Sequence, residues 1–164
     1  MPESKRIVIN TGPLLALIAG LGDLKVLNSL YKQVIVPYEV RQEIMAGGAT
    51  HFGIHEFTEA EFLIKRDNPT MIQPYLLNSL DLGESSVIQT ALDEKIQTVC
   101  IDEAVGRRIA RLNGLTLTGS LGIMIRAKKE GHSFSLRDAI NQMQARGVRL
   151  SERIVDVALN QVGE

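Results

Sequence analysis

Apolar and polar positions follow two regimes along this chain. Short continuous apolar runs read as strands buried on both faces, and longer stretches with apolar residues at helical spacing read as the helices that cover them. Residues 5–9 (KRIVI) form the first such run and predict a central strand. Asn10-Thr11-Gly12-Pro13 and the apolar LLALIAGLG come next. Pro13 fits a helix start there, because a fixed φ and a missing donor cost nothing in the first turn. A second helix is expected over residues 23–31, a strand over Gln33–Val36 (QVIV), and a third helix over YEVRQEIMA, opened by Pro37 and ended by Gly47-Gly48.

The middle is less regular. Residues 49–59 read as a loop, 62–65 (FLIK) as a strand, and 69–78 as a short helix interrupted at Pro74. Residues 80–120 then read as helix, strand, helix, strand, and residues 121–130 as a helix closed by Gly131. Two amphipathic helices are expected within residues 134–164. Leu136, Ala139, Ile140 and Met143 share a face after Ser135 as N-cap, and Ile154, Val155, Ala158, Leu159 and Val162 share one after Ser151. Strands alternating with helices predict an α/β fold with a mostly parallel sheet covered on both faces. Its 164 residues, without repeats or linkers, predict one domain over residues 1–164.

Composition narrows the setting. Charged residues at 23% and a net charge of −1 give no global pull toward nucleic acid or membrane. The distribution is uneven: residues 103–131 carry six Lys/Arg against two acids, and the remainder carries twelve against seventeen. A basic band therefore lies inside a mildly acidic protein. The single cysteine, Cys100, excludes an internal disulfide and reads as a small buried hydrophobe. With no membrane-length apolar run and no signal-peptide pattern, the expected location is the cytoplasm.

Four polar residues fall where an open parallel sheet places its ligands, beyond the carboxyl ends of the strands or at helix starts beside them. Asn10 ends the first strand, Asp102 follows the apolar Thr98-Val99-Cys100-Ile101, Glu84 opens the preceding helix, and Glu43 lies near the end of the third helix. Each also has an ordinary structural explanation. Asn10 or Thr11 serves as a helix cap, Asp81 and Glu84 have capping-box spacing, Asp102 caps the helix after it, and Glu43 is a solvated surface acid. Together they offer three carboxylates and an amide oxygen, a donor set for a hard cation such as Mg²⁺. A bound metal lowers the pKa of a water and clamps a phosphate, which phosphodiester hydrolysis requires. Arg107, Arg108 and Arg111 fall within about one helical turn of each other just after Asp102, and Arg126, Lys128 and Lys129 come later. Such clusters grip phosphate backbones or form a solvated basic face. Residues 118–122 (TGSLG) offer a helix N-terminus to a phosphate, or an ordinary strand-to-helix turn.

Other chemistries find no support. His51 and His55 lack the glutamate of a zinc-protease motif, no dinucleotide or Walker loop follows the first strand, and no Gly-x-Ser-x-Gly elbow exists.

The segments IVINTGPLLAL, VIVPYEVRQEI, LDLGESSVIQTAL, VCIDEAVGRRIARLNGLTLTGSLGIMIRAKKEG and GVRLSERIVDVALNQVGE resemble the PIN-domain family, specifically its VapC-toxin-like branch. They cover most of the chain, with residues 51–78 the poorest match. The resemblance implies a three-layer α/β/α sandwich whose acids bind Mg²⁺ or Mn²⁺ and cleave single-stranded RNA. It also implies a homodimer and a cognate antitoxin as partner. Glu43, Glu84 and Asp102 take the positions of the family's acids, and Thr11 with Thr118 or Ser120 those of hydroxyl residues near the site. The family expects Asp after the first strand, where this chain has Asn10. An amide oxygen still ligates a metal, but one negative charge is lost.

Overall fold

The computed structural model describes residues 5–164. The first half runs β1 (Arg6–Ile9), α1 (Thr11–Leu21), α2 (Lys25–Leu30), β2 (Gln33–Val36), α3 (Tyr38–Ala46), α4 (Ile54–Glu59), β3 (Ile64–Lys65) and α5 (Pro74–Leu77). The second half runs α6 (Leu82–Glu94), β4 (Thr98–Cys100), α7 (Ala104–Leu112), β5 (Thr116–Thr118), α8 (Ser120–Lys129), α9 (Leu136–Ala145) and α10 (Glu152–Val162).

The strands form one sheet in the order β3-β2-β1-β4-β5, and every pairing is parallel. Ile7, Val8 and Ile9 of β1 and Val99 and Cys100 of β4 are fully buried. Burial on both faces is why these strands read as continuous apolar runs rather than alternating ones. The helices fall into two groups. α1, α2, α8, α9 and α10 pack on one another, while α6 joins α3, α5 and α7, giving the layers of an α/β/α sandwich. From β1 the chain first builds β2 and β3 on one side, then returns to add β4 and β5 on the other. The β1/β4 junction is therefore the point where strand order reverses, and the carboxyl ends there open the crevice.

The structure corrects three local expectations. Residues 49–59 hold α4, whose one turn and a half is enough to bury Phe57 but too short to show a periodic pattern. Pro74 begins α5 rather than interrupting a helix, since proline is pre-organised for the first helical position. On α9 the four expected residues are all buried, but on α10 Ile154 is 51% exposed and only Ala158 and Leu159 are buried. Ser135 and Ser151 cap these two helices by accepting the N–H groups of Asp138 and Ile154. Among the described residues, no helix is long and apolar enough to cross a membrane.

Candidate active site

Asn10 leaves β1 directly, and its backbone N–H donates to the Cys100 carbonyl at 3.1 Å, tying the ends of β1 and β4 together. It occupies the N-cap position of α1, yet its side chain makes no capping bond. One residue on, the Thr11 hydroxyl donates to Glu43 Oε1 at 2.7 Å and draws the acid of α3 toward the start of α1. These groups converge on a bare backbone. A Cβ on Gly83 would lie 3.1 Å from Glu43 Oε1, 3.2 Å from Asn10 Oδ1 and 3.6 Å from Asp81 Oδ1. Oxygens from β1, α3 and the start of α6 thus overhang a cradle that any side chain at position 83 would fill.

Glu84 borders this cradle. The capping box read from the sequence is present: Asp81 Oδ1 accepts the Glu84 N–H at 2.8 Å, and Glu84 Oε1 accepts the Asp81 N–H at 3.3 Å. The second oxygen, Oε2, faces Gly106, where a Cβ would lie 3.4 Å away. Burial raises the Glu84 carboxyl above its ordinary range. The charges of Asp81, Glu103 and Glu43 raise it further, against a backbone hydrogen bond from Asp81 that lowers it. A nearby cation would relieve what these acids impose on one another.

Asp102 behaves differently from its expected role as cap of the next helix. The N-cap of α7 is Glu103, without a side-chain cap bond, while Asp102 accepts the Ser120 N–H and the Ser120 hydroxyl, both at 2.9 Å. The physical reason is Gly119. It is the N-cap of α8, and its bare Cα leaves room for the acid that follows the neighbouring β4 to reach the first free N–H of the helix. A Cβ on Gly119 would meet Asp102 Oδ1 at 2.6 Å. The N-terminus of α8 therefore already carries an anion. Arg107 also turns inward: its Nη1 donates to the carbonyls of Ile101 (2.7 Å) and Thr118 (3.2 Å), clamping β4 to β5.

The predicted residues thus fall into two sets. Asn10 and Glu43 gather at Gly83, with Thr11 bonded to Glu43 and Glu84 next in the chain. Asp102, Arg107, Thr118 and Ser120 gather at Gly119 and line a 570 Å³ cavity, while Arg108 and Arg111 stand exposed on α7. Three participants escaped the sequence reading, and a fourth, Asp81, was read only as a cap. Asp81 and Glu103 both act on Glu84, Gly83 makes the cradle, and Arg149 lines the Asp102 cavity. The DLGE spacing held a signal for Asp81 and Gly83, and Glu103 adjoins Asp102. Arg149 comes from the α9–α10 loop and carries no local signal. Cys100 is fully buried, which pushes its thiol well above the ordinary value, with Asp102 adding to the shift. A buried, protonated thiol is no nucleophile.

The family model DUF3368, described as a PIN domain, matches residues 6–164. The chain belongs to the PIN-domain family. No curated protein and no solved structure matches it. PIN domains have a nuclease-type fold, generally use divalent metal ions and commonly bind RNA.

Among the described residues of this PIN domain, no three His, Cys, Asp or Glu side chains come together as a metal-holding group. Mg²⁺ does not require three: it keeps several waters and takes one or two carboxylates directly. The Gly83 cradle offers Glu43 and the Asn10 amide, with Glu84 beside it, all oxygen donors. In kind and in number, these residues fit a hydrated hard cation.

Proposed function

We propose that this PIN domain is a Mg²⁺- or Mn²⁺-dependent endoribonuclease that hydrolyses phosphodiesters of single-stranded RNA. The observation that carries the reading is the Gly83 cradle, where Asn10 and Glu43 oxygens face a backbone that a single methyl group would close off. Asn10, Glu43 and Glu84 would hold the ion, with Asp102 on the flank of the site. When bound, the ion supplies Lewis acidity and a water of lowered pKa. The chain's own contribution is positioning. Thr11 fixes the Glu43 carboxylate, the Asp81 capping box fixes Glu84, and Ser120 fixes Asp102 at the mouth of the adjoining cavity. Arg108 and Arg111 are free on the surface of α7 to meet phosphates, and Thr118 and Ser120 line the path beside Asp102.

The biological setting we infer is that of a VapC-like toxin acting in the cytoplasm as a single domain, with an antitoxin protein as partner. The buried, unpaired Cys100 suits a reducing compartment. Tyr75, Leu82, Val105 and Leu112, between 44% and 76% exposed on the neighbouring helices α5, α6 and α7, supply an apolar face for a homodimer. Incubation with single-stranded RNA tests the enzymatic reading. Cleavage should require Mn²⁺ or Mg²⁺ and disappear in Asp102→Ala. Equal residual cleavage by the wild type and the variant sinks it.

A second reading has one specific observation in its favour. Asn10 replaces a carboxylate at the centre of the cradle and removes one negative charge. On this reading the domain binds RNA or a protein partner without cutting, and divalent ions do not raise its melting temperature.

A further inference from the structure

A 660 Å³ cavity opens away from the acids, beside the starts of β1 and β4 and along β5, the edge strand. Four cationic residues line it, Lys5, Arg6, Lys95 and Arg126, and among the described residues no carboxylate does. Arg6 donates to the Glu94 carbonyl at 3.3 Å, and Arg126 pairs with Glu130 at 2.9 Å while lying over the Tyr31 ring. Lys5 and Lys95 make no ion pair among the described residues.

Lys95 is the informative one. It ends α6 in the left-handed region with φ 57°, a position where helices usually place glycine or asparagine. A lysine there carries a conformational penalty that glycine would not, and the same residue lines the cavity. Tyr31, 8% exposed and under the Arg126 guanidinium, also lines the cavity. Four cations and, among the described residues, no acid make a surface for phosphate oxygens.

The cavity also shares part of its lining with the space around Asp102. Leu117 and Thr118 line both it and the 570 Å³ cavity that holds Asp102, Arg107 and Ser120. Both spaces border β5, three residues long, which spans roughly 10 Å at a strand's rise per residue.

We propose that the Lys5/Lys95 cavity holds the phosphodiester backbone of a single-stranded RNA a few nucleotides away from the acids, so that the strand crosses the edge of β5. This rests on the ribonuclease reading and assigns the grip on the distal strand to the sheet's edge rather than to the arginines of α7. Phosphate contacts of this kind fix register without reading sequence.

The test is fluorescence anisotropy in EDTA, with labelled single-stranded RNAs of three and ten nucleotides. The proteins are wild type, Lys95→Gly, Lys95→Glu and, as an exposed control outside the cavity, Lys129→Glu. Lys95→Glu should weaken the ten-nucleotide complex severalfold, leave the three-nucleotide complex unchanged, and lower the salt-dependence slope by about 0.7 for each lost phosphate contact. Lys95→Gly should weaken it too, while melting at the wild-type temperature or higher, which separates lost charge from lost fold. Unchanged affinity in both Lys95 variants, with wild-type binding and cleavage intact, overturns the cavity and leaves the nuclease reading standing. Equal losses for both RNA lengths, or for the Lys129 control, also overturn it. Protection of the wild type by inorganic phosphate, with RNA affinity indifferent to Lys95, makes this a small-anion site and overturns the strand path. A wild type that binds neither RNA removes both readings together.

Discussion

Gly83→Ala separates the fold from the site more cleanly than any carboxylate substitution. Position 83 lies in the first turn of α6 without a positive φ, so alanine is conformationally allowed. Relative to glycine, alanine in a helix gains about 0.5–1 kcal/mol. Against this, the new methyl group would press on Glu43 Oε1 at 3.1 Å and Asn10 Oδ1 at 3.2 Å, the tips of side chains that yield by a few tenths of an ångström. Disturbing the Thr11–Glu43 hydrogen bond costs about 1 kcal/mol, so the two effects nearly cancel. The metal-free melting temperature should therefore stay within about 4 °C of wild type. Metal binding should not survive, because the methyl group takes the space the oxygens enclose. At a free ion concentration of 100 times its Kd, the wild type gains about 2.7 kcal/mol, and a hundredfold weaker variant gains only about 0.4 kcal/mol. Differential scanning fluorimetry across a Mn²⁺ titration measures both quantities. A variant that keeps the full metal-induced rise refutes the cradle, and one that unfolds without metal refutes the packing argument.

Four further outcomes follow from the same geometry. Asn10→Asp restores the missing charge and should raise Mn²⁺ affinity on the order of tenfold, with cleavage rising in parallel, by calorimetry and RNA assay. Unchanged affinity would place the ion elsewhere. Glu84→Gln keeps the capping-box acceptor while removing a charge that burial penalises. Because the folded pKa of Glu84 is raised, wild-type stability falls as pH rises from about 4.3, the unfolded value, through the folded one. The metal-free variant should then be the more stable protein at pH 7 and lose that advantage near pH 4, as denaturant midpoints will report. Glu164 is the opposite case. Its carboxylate accepts the Leu136 N–H at 2.6 Å, with Arg137, Ser135 and Lys128 adding, and is held down at about 2. Its stabilisation is present above the unfolded carboxyl pKa and is lost as pH falls toward 2, so Glu164→Gln should flatten the acid limb of the stability profile. Arg107→Ala should cost about 2 kcal/mol of stability through the carbonyls it clamps, whereas Arg108→Ala should leave stability unchanged and weaken RNA binding.

What the sequence disclosed tracks how local each signal is. The buried parallel strands, the Asp81–Glu84 box and the caps at Ser135 and Ser151 depend on residues within a turn or two, and their patterns survive in one dimension. The pairing of Asp102 with Ser120 was illegible because it spans the ends of two strands and depends on a glycine whose bare Cα leaves room for the carboxylate. Arg107 reads as a phosphate ligand because its charge is visible in sequence, whereas the carbonyls of Ile101 and Thr118 that its Nη1 also holds are not. The cradle was half-visible: Asn10, Glu43 and Glu84 could be named, but that the Asn10 and Glu43 oxygens meet over the bare Cα of Gly83, next to Glu84, follows only from how β1, α3 and α6 pack.

The most direct test of the account is diffraction from crystals soaked in Mn²⁺. The prediction is an anomalous peak over Gly83, between the side-chain oxygens of Asn10, Glu43 and Glu84. A saturating soak that leaves this cradle without a peak, or that places one elsewhere in the molecule, contradicts it.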